Sequence, residues 1–338
     1  MFKEEKIISH YKKLEDLSLK KIVNPVTVSV NLTSEMYPHC SCQRPSDWNV
    51  LPRKDMPLDE AIRIVTDLSK NNIQSIIFNG KYDVLGYNKI DELLEIVKNN
   101  GKIVGLVTDG SNLVGHAYCV KRTCNIIWID YNSGIAKTYA EMHKDDVNCD
   151  SFEQSLQSIK HIKKNNKKIL LIGRFTPNFK NYKEITEFVK NCKIHGIDRT
   201  EILYQDENLD DNAKNEIEKQ IKECEKEYVD FIDASDYKFF NSEKSNKRYV
   251  MKSYSFPLSI SIGSNSNIYI PVKNFRTQEN IIGNYKGNNF VSIWNRNPKL
   301  NDKIGRVVLD LCEKCNYYKY DKIIKEVVIG DRLLHNFV

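Results

Sequence analysis

Two thiols, Cys40 and Cys42, follow the alternating run Val26-Thr-Val-Ser-Val-Asn-Leu32, so a β-strand leads straight into a cysteine-bearing loop. Thiolates on such a loop can ligate a transition metal or an iron-sulfur cluster, with His39 beside them as a nitrogen donor. Near the other end of the chain Cys312 and Cys315 are spaced so that both sulfurs can converge on one metal. One pair supplies half of a tetrahedral site, and Cys224 is the candidate third ligand. The alternatives stand beside these readings: two reduced loop thiols at Cys40 and Cys42, and a packing pair at Cys312 and Cys315. The nine cysteines are odd in number and mostly isolated, which favours reduced thiols over a disulfide framework. Arg174 closes an apolar strand, where it can meet a carboxylate or phosphate of a ligand or pair with an acid such as Asp130. Lys81 offers a second anion-binding cation, and His116 and His143 are either polar site groups or structural hydrogen-bonding partners. Phosphate-loop, zinc-protease, nucleophile-elbow and zinc-finger spacings do not occur.

These groups need a scaffold, and the middle of the chain supplies one by alternating short apolar runs with longer amphipathic ones. Strands are predicted at 26–32, 74–79, 102–108, 125–131, 168–174 and 199–205. The helices that follow them fall at 58–72, 88–100, 112–121, 151–166, 180–195 and 209–227. Pro57 before Leu58, and Ser151 with Gln154, suit helix starts, while Gly101 and Gly196 suit helix ends that need a positive φ. Six such units with no visible seventh or eighth predict a partial (β/α)6 TIM-type barrel, whose chemistry sits on the loops after the strands. Beyond about residue 236 the pattern changes to short strands at 254–262, 267–272 and 288–294, with a terminal helix near 319–328. That region reads as a small α+β C-terminal domain. The division is therefore a helical lead-in at 1–24, the barrel at 25–235 and the C-terminal part at 236–338, joined by a polar linker from Ser235 to Tyr249.

Composition narrows the function classes. At 338 residues the chain can bury a large core, and 41% hydrophobic with 28% charged residues is an ordinary globular balance. No run approaches the length of a membrane span, and the charged start lacks a signal-peptide core, so the expectation is a cytoplasmic protein with no membrane partner. The net charge of +6 is densest at Lys160, Lys163, Lys164, Lys167 and Lys168, around a predicted helix end. There a solvated helix face is the preferred reading over a nucleic-acid patch.

The strand-end phrases resemble those of the radical SAM superfamily. In that family the loop after strand 1 carries Cys-x3-Cys-x2-Cys for a 4Fe-4S cluster, and here it reads Met36-x3-Cys40-x2-Gln43, with the middle ligand kept. Asn79-Gly80-Lys81-Tyr82 stands where the family has Gly-Gly-Glu-Pro, and Thr108-Asp109-Gly110 where it has Thr-Asn-Gly. Trp128-Ile-Asp130 and Tyr139-x3-His143 are similar to its fourth strand and following segment. Ile282-Gly283-Asn284, Ser292-Ile293-Trp294-Asn295 and Cys312-x2-Cys315 resemble a SPASM or twitch domain, although Ile268-Tyr269-Ile270 runs into Pro271 without the cysteine usual there. The resemblance covers roughly residues 25–325 and implies a 4Fe-4S cluster and S-adenosylmethionine as cofactors. It places metal ligation at Cys40, Cys42, Cys312 and Cys315, and cofactor contacts at Asn79, Gly80, Lys81, Thr108, Asp109 and Gly110, with Arg174 at the same mouth.

Because the ligand set is incomplete at separate loops, the expected function is a degenerate radical-SAM-like homologue, a pseudoenzyme binding a small molecule, a peptide or a protein partner at the barrel mouth. One alternative is an active radical SAM enzyme with noncanonical iron-sulfur ligation that modifies a peptide or small molecule. Another is an interaction module without a cofactor.

Overall fold

The computed structural model of the chain describes residues 9–19, 21–33, 54–142, 149–203, 209–235, 237–238, 258–269, 281–295 and 300. A lead-in helix, α1 (Tyr11–Ser18), precedes alternating strands and helices: β1 (Thr27–Thr33), α2 (Leu58–Lys70), β2 (Ser75–Gly80), α3 (Ile90–Asn99), β3 (Ile103–Thr108), α4 (Leu113–Thr123) and β4 (Ile126–Asp130). Two helices, α5 (Ala136–Met142) and α6 (Cys149–Asn165), lead to β5 (Leu170–Phe175). Then come α7 (Ile185–Ile194), β6 (Arg199–Ile202), α8 (Asp211–Glu227) and β7 (Ile232–Asp233). The described C-terminal part adds β8 (Ser259–Ile262), β9 (Asn267–Tyr269), β10 (Ile281–Asn284) and α9 (Phe290–Trp294).

One 10-stranded sheet joins them in the order β10-β9-β8-β1-β2-β3-β4-β5-β6-β7. Pairing is parallel from β8 through β7 and antiparallel only at β8–β9 and β9–β10. Strand period 2 divides the side chains between two faces. Val28, Val30 and Leu32 of β1, with Ile76, Phe78, Val104, Leu106, Ile127, Ile129 and Leu171, enter the main core. They meet Ala61, Ile64, Val65 and Leu68 of α2, whose spacing forms one helical stripe. Burying one such aliphatic side chain stabilises the fold by roughly 1.5–3 kcal/mol. The opposite face of the sheet carries Ser29, Asn31, Asn79, Trp128, Asp130, Arg174, Arg199 and Glu201, and so holds more polar side chains than the face against the helices.

The predicted βα order is the observed one, and Gly101 and Gly196 adopt φ of 72° and 84° at helix ends, as expected. Four features differ from the sequence reading. The segment 288–294, expected as a strand, is helical from Phe290 because Asn289 accepts the Ser292 N–H in a capping box, and Phe290, Ile293 and Trp294 are buried at helical spacing. Helix α5 precedes the expected helix after β4, and a seventh parallel strand, β7, is too short at 2 residues to leave a pattern. The C-terminal strands also extend the barrel sheet: β8 pairs directly with β1, from Thr27↔Ser259 to Val30↔Ile262. No helix among the described residues is long and apolar enough to cross a membrane.

Candidate functional site

Parallel sheets work at the carboxyl ends of their strands, so the site is built there. Strand β1 ends at Thr33. The chain comes back to the same point, where Thr33 bridges Asp55 and the Met56 N–H donates to the Leu32 carbonyl at 2.8 Å. The intervening loop therefore begins and ends at the mouth. Its Met36, His39, Cys40, Cys42 and Gln43 lie outside the described residues, as do His143, Cys312 and Cys315.

At the end of β2 the backbone closes tightly on β1. A Cβ on Gly80 would lie 1.9 Å from Thr33 Oγ1, so only glycine fits. The Lys81 N–H donates to the Thr33 carbonyl at 2.7 Å, and the Thr33 hydroxyl donates to the Tyr82 carbonyl at 2.5 Å. The buried Asn79 accepts the Gly80 N–H at 2.8 Å. Lys81 Nζ lies 5.5 Å from the centre of the Tyr82 ring, a cation on an aromatic face.

Asp83 is the residue that sequence reasoning missed. It caps the short turn Val84–Gly86 and accepts the Thr108 hydroxyl at 2.6 Å, the Asn112 amide Nδ2 at 2.9 Å and the Ser111 hydroxyl at 3.3 Å. Burial, with the charge of Asp109 added, raises its carboxyl to about 6, against the pull of those donors. The available signal was an acid directly after Tyr82, one step beyond the phrase that carried the resemblance.

Strand β3 ends in a turn of the same kind. Thr108 also accepts the Gly110 N–H at 3.0 Å, and Asp109 accepts both the N–H and the hydroxyl of Ser111, at 2.9 and 2.6 Å. The Tyr139 hydroxyl donates to the Asp109 carbonyl at 2.9 Å. Arg174 and Asp130 are register partners on β5 and β4, and Arg174 Nη2 donates to Asp130 Oδ2 at 2.6 Å while Nε binds the other oxygen. This forked pair realises the internal alternative for Arg174. Glu201 is the next register partner of Arg174 and accepts from Arg199 Nη2 at 3.3 Å.

The structure brings Asn79, Gly80, Lys81, Thr108, Asp109 and Gly110 to neighbouring strand ends, with Arg174 further along the same edge. It places the other candidates elsewhere. His116 pairs with Asp91 at 2.8 Å, linking α4 to α3 in the helix layer. Lys163 of the basic run is held by Asp198 at 2.7 Å and the Ile169 carbonyl at 2.8 Å. Cys224 is buried on α8 beside Thr186, and burial raises its thiol, as it does for Cys124, pushed up to about 12. Among the described residues no three metal-binding side chains come together.

No family model and no curated protein matches the sequence. Solved structures do. SuiB of Streptococcus suis bound to S-adenosylmethionine is 14% identical, over 88% of this chain and 72% of that one, with a TM-score of 0.58. SuiB bound to the precursor peptide SuiA is 14% identical over 94% and 75%, with a TM-score of 0.58. Native anSMEcpe with bound AdoMet is 14% identical over 88% of each chain, again with a TM-score of 0.58. At this identity the likeness establishes the fold alone: the chain is an α/β protein with a partial TIM-type barrel like that of these S-adenosylmethionine-bound structures.

Proposed function

We propose that this chain is a radical-SAM-fold protein whose cofactor site has been altered, and that its mouth, with Asn79, Gly80, Lys81, Thr108, Asp109, Gly110 and Arg174 around it, binds a ligand or partner. The observation that carries this reading is that side chains expected to contact S-adenosylmethionine are committed to one another or to their own loops. Thr108 binds Asp83, Asp109 binds Ser111, and Arg174 binds Asp130. Lys81 sets an ammonium at the strand end where the family carries an acid, and a like charge there opposes an amino group. Asp83 and Asp109, the acids at these strand ends, each accept from side chains at the end of β3 and in the turn after it. A peptide is the ligand class favoured by the SuiB structure with SuiA bound. The proposal includes the SPASM-like or twitch-like reading of residues 236–338 and of Cys312 with Cys315.

A second reading is favoured by the return of the Cys40 and Cys42 loop to the mouth at Thr33 and Asp55. There an active enzyme would use both thiolates and a third group as cluster ligands. Anaerobic reconstitution with iron and sulfide, followed by reduction in the presence of S-adenosylmethionine, separates the two. The altered site is expected to yield no stoichiometric iron and no 5′-deoxyadenosine. Bound iron with broad visible absorbance and 5′-deoxyadenosine release, both lost in the Cys40→Ala, Cys42→Ala double variant, would overturn it.

A further inference from the structure

The connections after β4 and β5 form one stiff piece of the mouth. Asn132 Oδ1 accepts the Thr176 N–H at 2.9 Å, and Asn181 Nδ2 donates to the carbonyls of Asn132 and Thr176 at 2.7 and 3.0 Å. Asn181 Oδ1 accepts the Asn178 N–H at 2.6 Å, and Asn181 is fully buried. Glu184 accepts the Gly134 N–H at 2.9 Å and the Thr138 hydroxyl at 2.5 Å, which ties the start of α5 to the same piece. Such a network leaves little loop freedom to be lost on binding.

From this platform Ile135 and Phe179 project into water, 43% and 58% exposed. One exposed apolar side chain needs no explanation. Here two stand on loops that buried asparagines lock together, and Lys137, Lys180 and Lys183 are exposed beside them. Among the described residues neither Lys137 nor Lys180 enters an ion pair, and the acid between them in the network, Glu184, is turned inward to Gly134 and Thr138. The platform therefore offers two apolar contacts with three exposed lysines on the same connections; the acids near them are the exposed Glu141 and the half-exposed Glu187, and Glu187 is already paired with Lys190.

We propose that it docks an acidic peptide segment carrying apolar or aromatic anchors. The anchors cover Ile135 and Phe179, and the carboxylates meet Lys137, Lys180 and Lys183, which fixes orientation and speeds encounter. This rests on the reading that the mouth receives a peptide, and it is independent of whether a cluster or S-adenosylmethionine binds.

The test is fluorescence anisotropy on the full chain without cofactor, using a labelled peptide of Glu and Asp with two Phe, and its counterpart with Lys in place of every acid. The acidic peptide is expected to bind and to weaken as salt rises, and the basic one to stay free. The Ile135→Ser, Phe179→Ser double variant should lose about tenfold or more in affinity. Lys137→Glu with Lys180→Glu and Lys183→Glu should reverse the preference between the two peptides. All five positions are exposed, and circular dichroism checks that the fold is kept. Equal binding of both peptides, affinity unchanged in both variants, or binding to phosphatidylglycerol vesicles with neither peptide bound would overturn the docking. If neither peptide binds and reconstitution yields neither iron nor 5′-deoxyadenosine, this inference falls and the altered cofactor site stands; if the acidic peptide binds and 5′-deoxyadenosine is released, the altered-site reading falls and the docking stands.

Discussion

Asp83 lies beneath two loops at once, and that position makes its protonation a stability matter. Its carboxyl is raised from 3.8 to about 6, first by burial and then by Asp109. A folded-state value above the unfolded one means that the folded chain holds the proton longer, so stability falls as pH rises from about 4 to about 6 and is flat beyond. Urea denaturation across that window should show the decline in the native chain, and Asp83→Asn should remove that part of the slope, whatever its effect at a single pH. A slope unchanged in the variant would mean that another group titrates. Asp83 was hidden in the sequence because its partners Thr108, Ser111 and Asn112 belong to the next βα unit, and no spacing along the chain announces a contact between strand ends. Gly80 was placed at the mouth by the phrase Asn79-Gly80-Lys81-Tyr82, and the structure supplies a physical reason for a glycine there, the close approach of Thr33 Oγ1. At Arg174 the sequence offered two partners, and register decided between them by setting Asp130 directly opposite.

At the scale of elements, the six expected βα units were readable because a period of 2 followed repeatedly by a period near 3.6 is hard to produce by accident. The misread element is α9, where a short apolar run fits either period until its cap is known. Asn289 and Ser292 settle it, and the helix is then fastened to α2: Arg63 donates to the Tyr285 and Asn288 carbonyls at 2.5 and 2.8 Å, and the Phe290 N–H donates to Asp67 at 2.6 Å. The Trp294 indole N–H also reaches the Val23 carbonyl at 3.0 Å, so α9 touches the lead-in as well. Arg63→Ala removes both carbonyl contacts and the Glu60 pair while leaving the core stripe of α2 intact. Amide hydrogen exchange should then speed up over residues 281–295 by at least tenfold, about 1.4 kcal/mol of local opening free energy, with β3 and β4 unchanged. Exchange that rises equally throughout the sheet would place Arg63 in the global fold instead. Asn289→Ala should act on the same segment at about 1 kcal/mol through loss of the cap.

For the whole molecule the decisive contact is β8 against β1. Strand β1 has β2 on one side and β8 on the other, so a chain ending near residue 235 would turn an interior strand into an open edge. It would also remove Ser261 and the Ile262 carbonyl, both of which accept from the buried Asn31 at 2.7 and 3.0 Å, and so leave an amide donor without partners. Composition suggested a boundary near 236 because linker-like polarity and short strands resume there, and a change in local composition says nothing about which earlier strand a later one will join. The pairing implies that both regions share one cooperative unit. A truncation at residue 235 is therefore expected to aggregate or to unfold without a sharp transition, while the full chain unfolds in one step whether followed at Trp128 in the sheet or at Trp294 in α9. If the truncated chain instead stays monomeric and unfolds with the midpoint of the full chain, β8 is an accessory to a barrel that stands by itself, and the Asn31 amide must find its acceptors elsewhere.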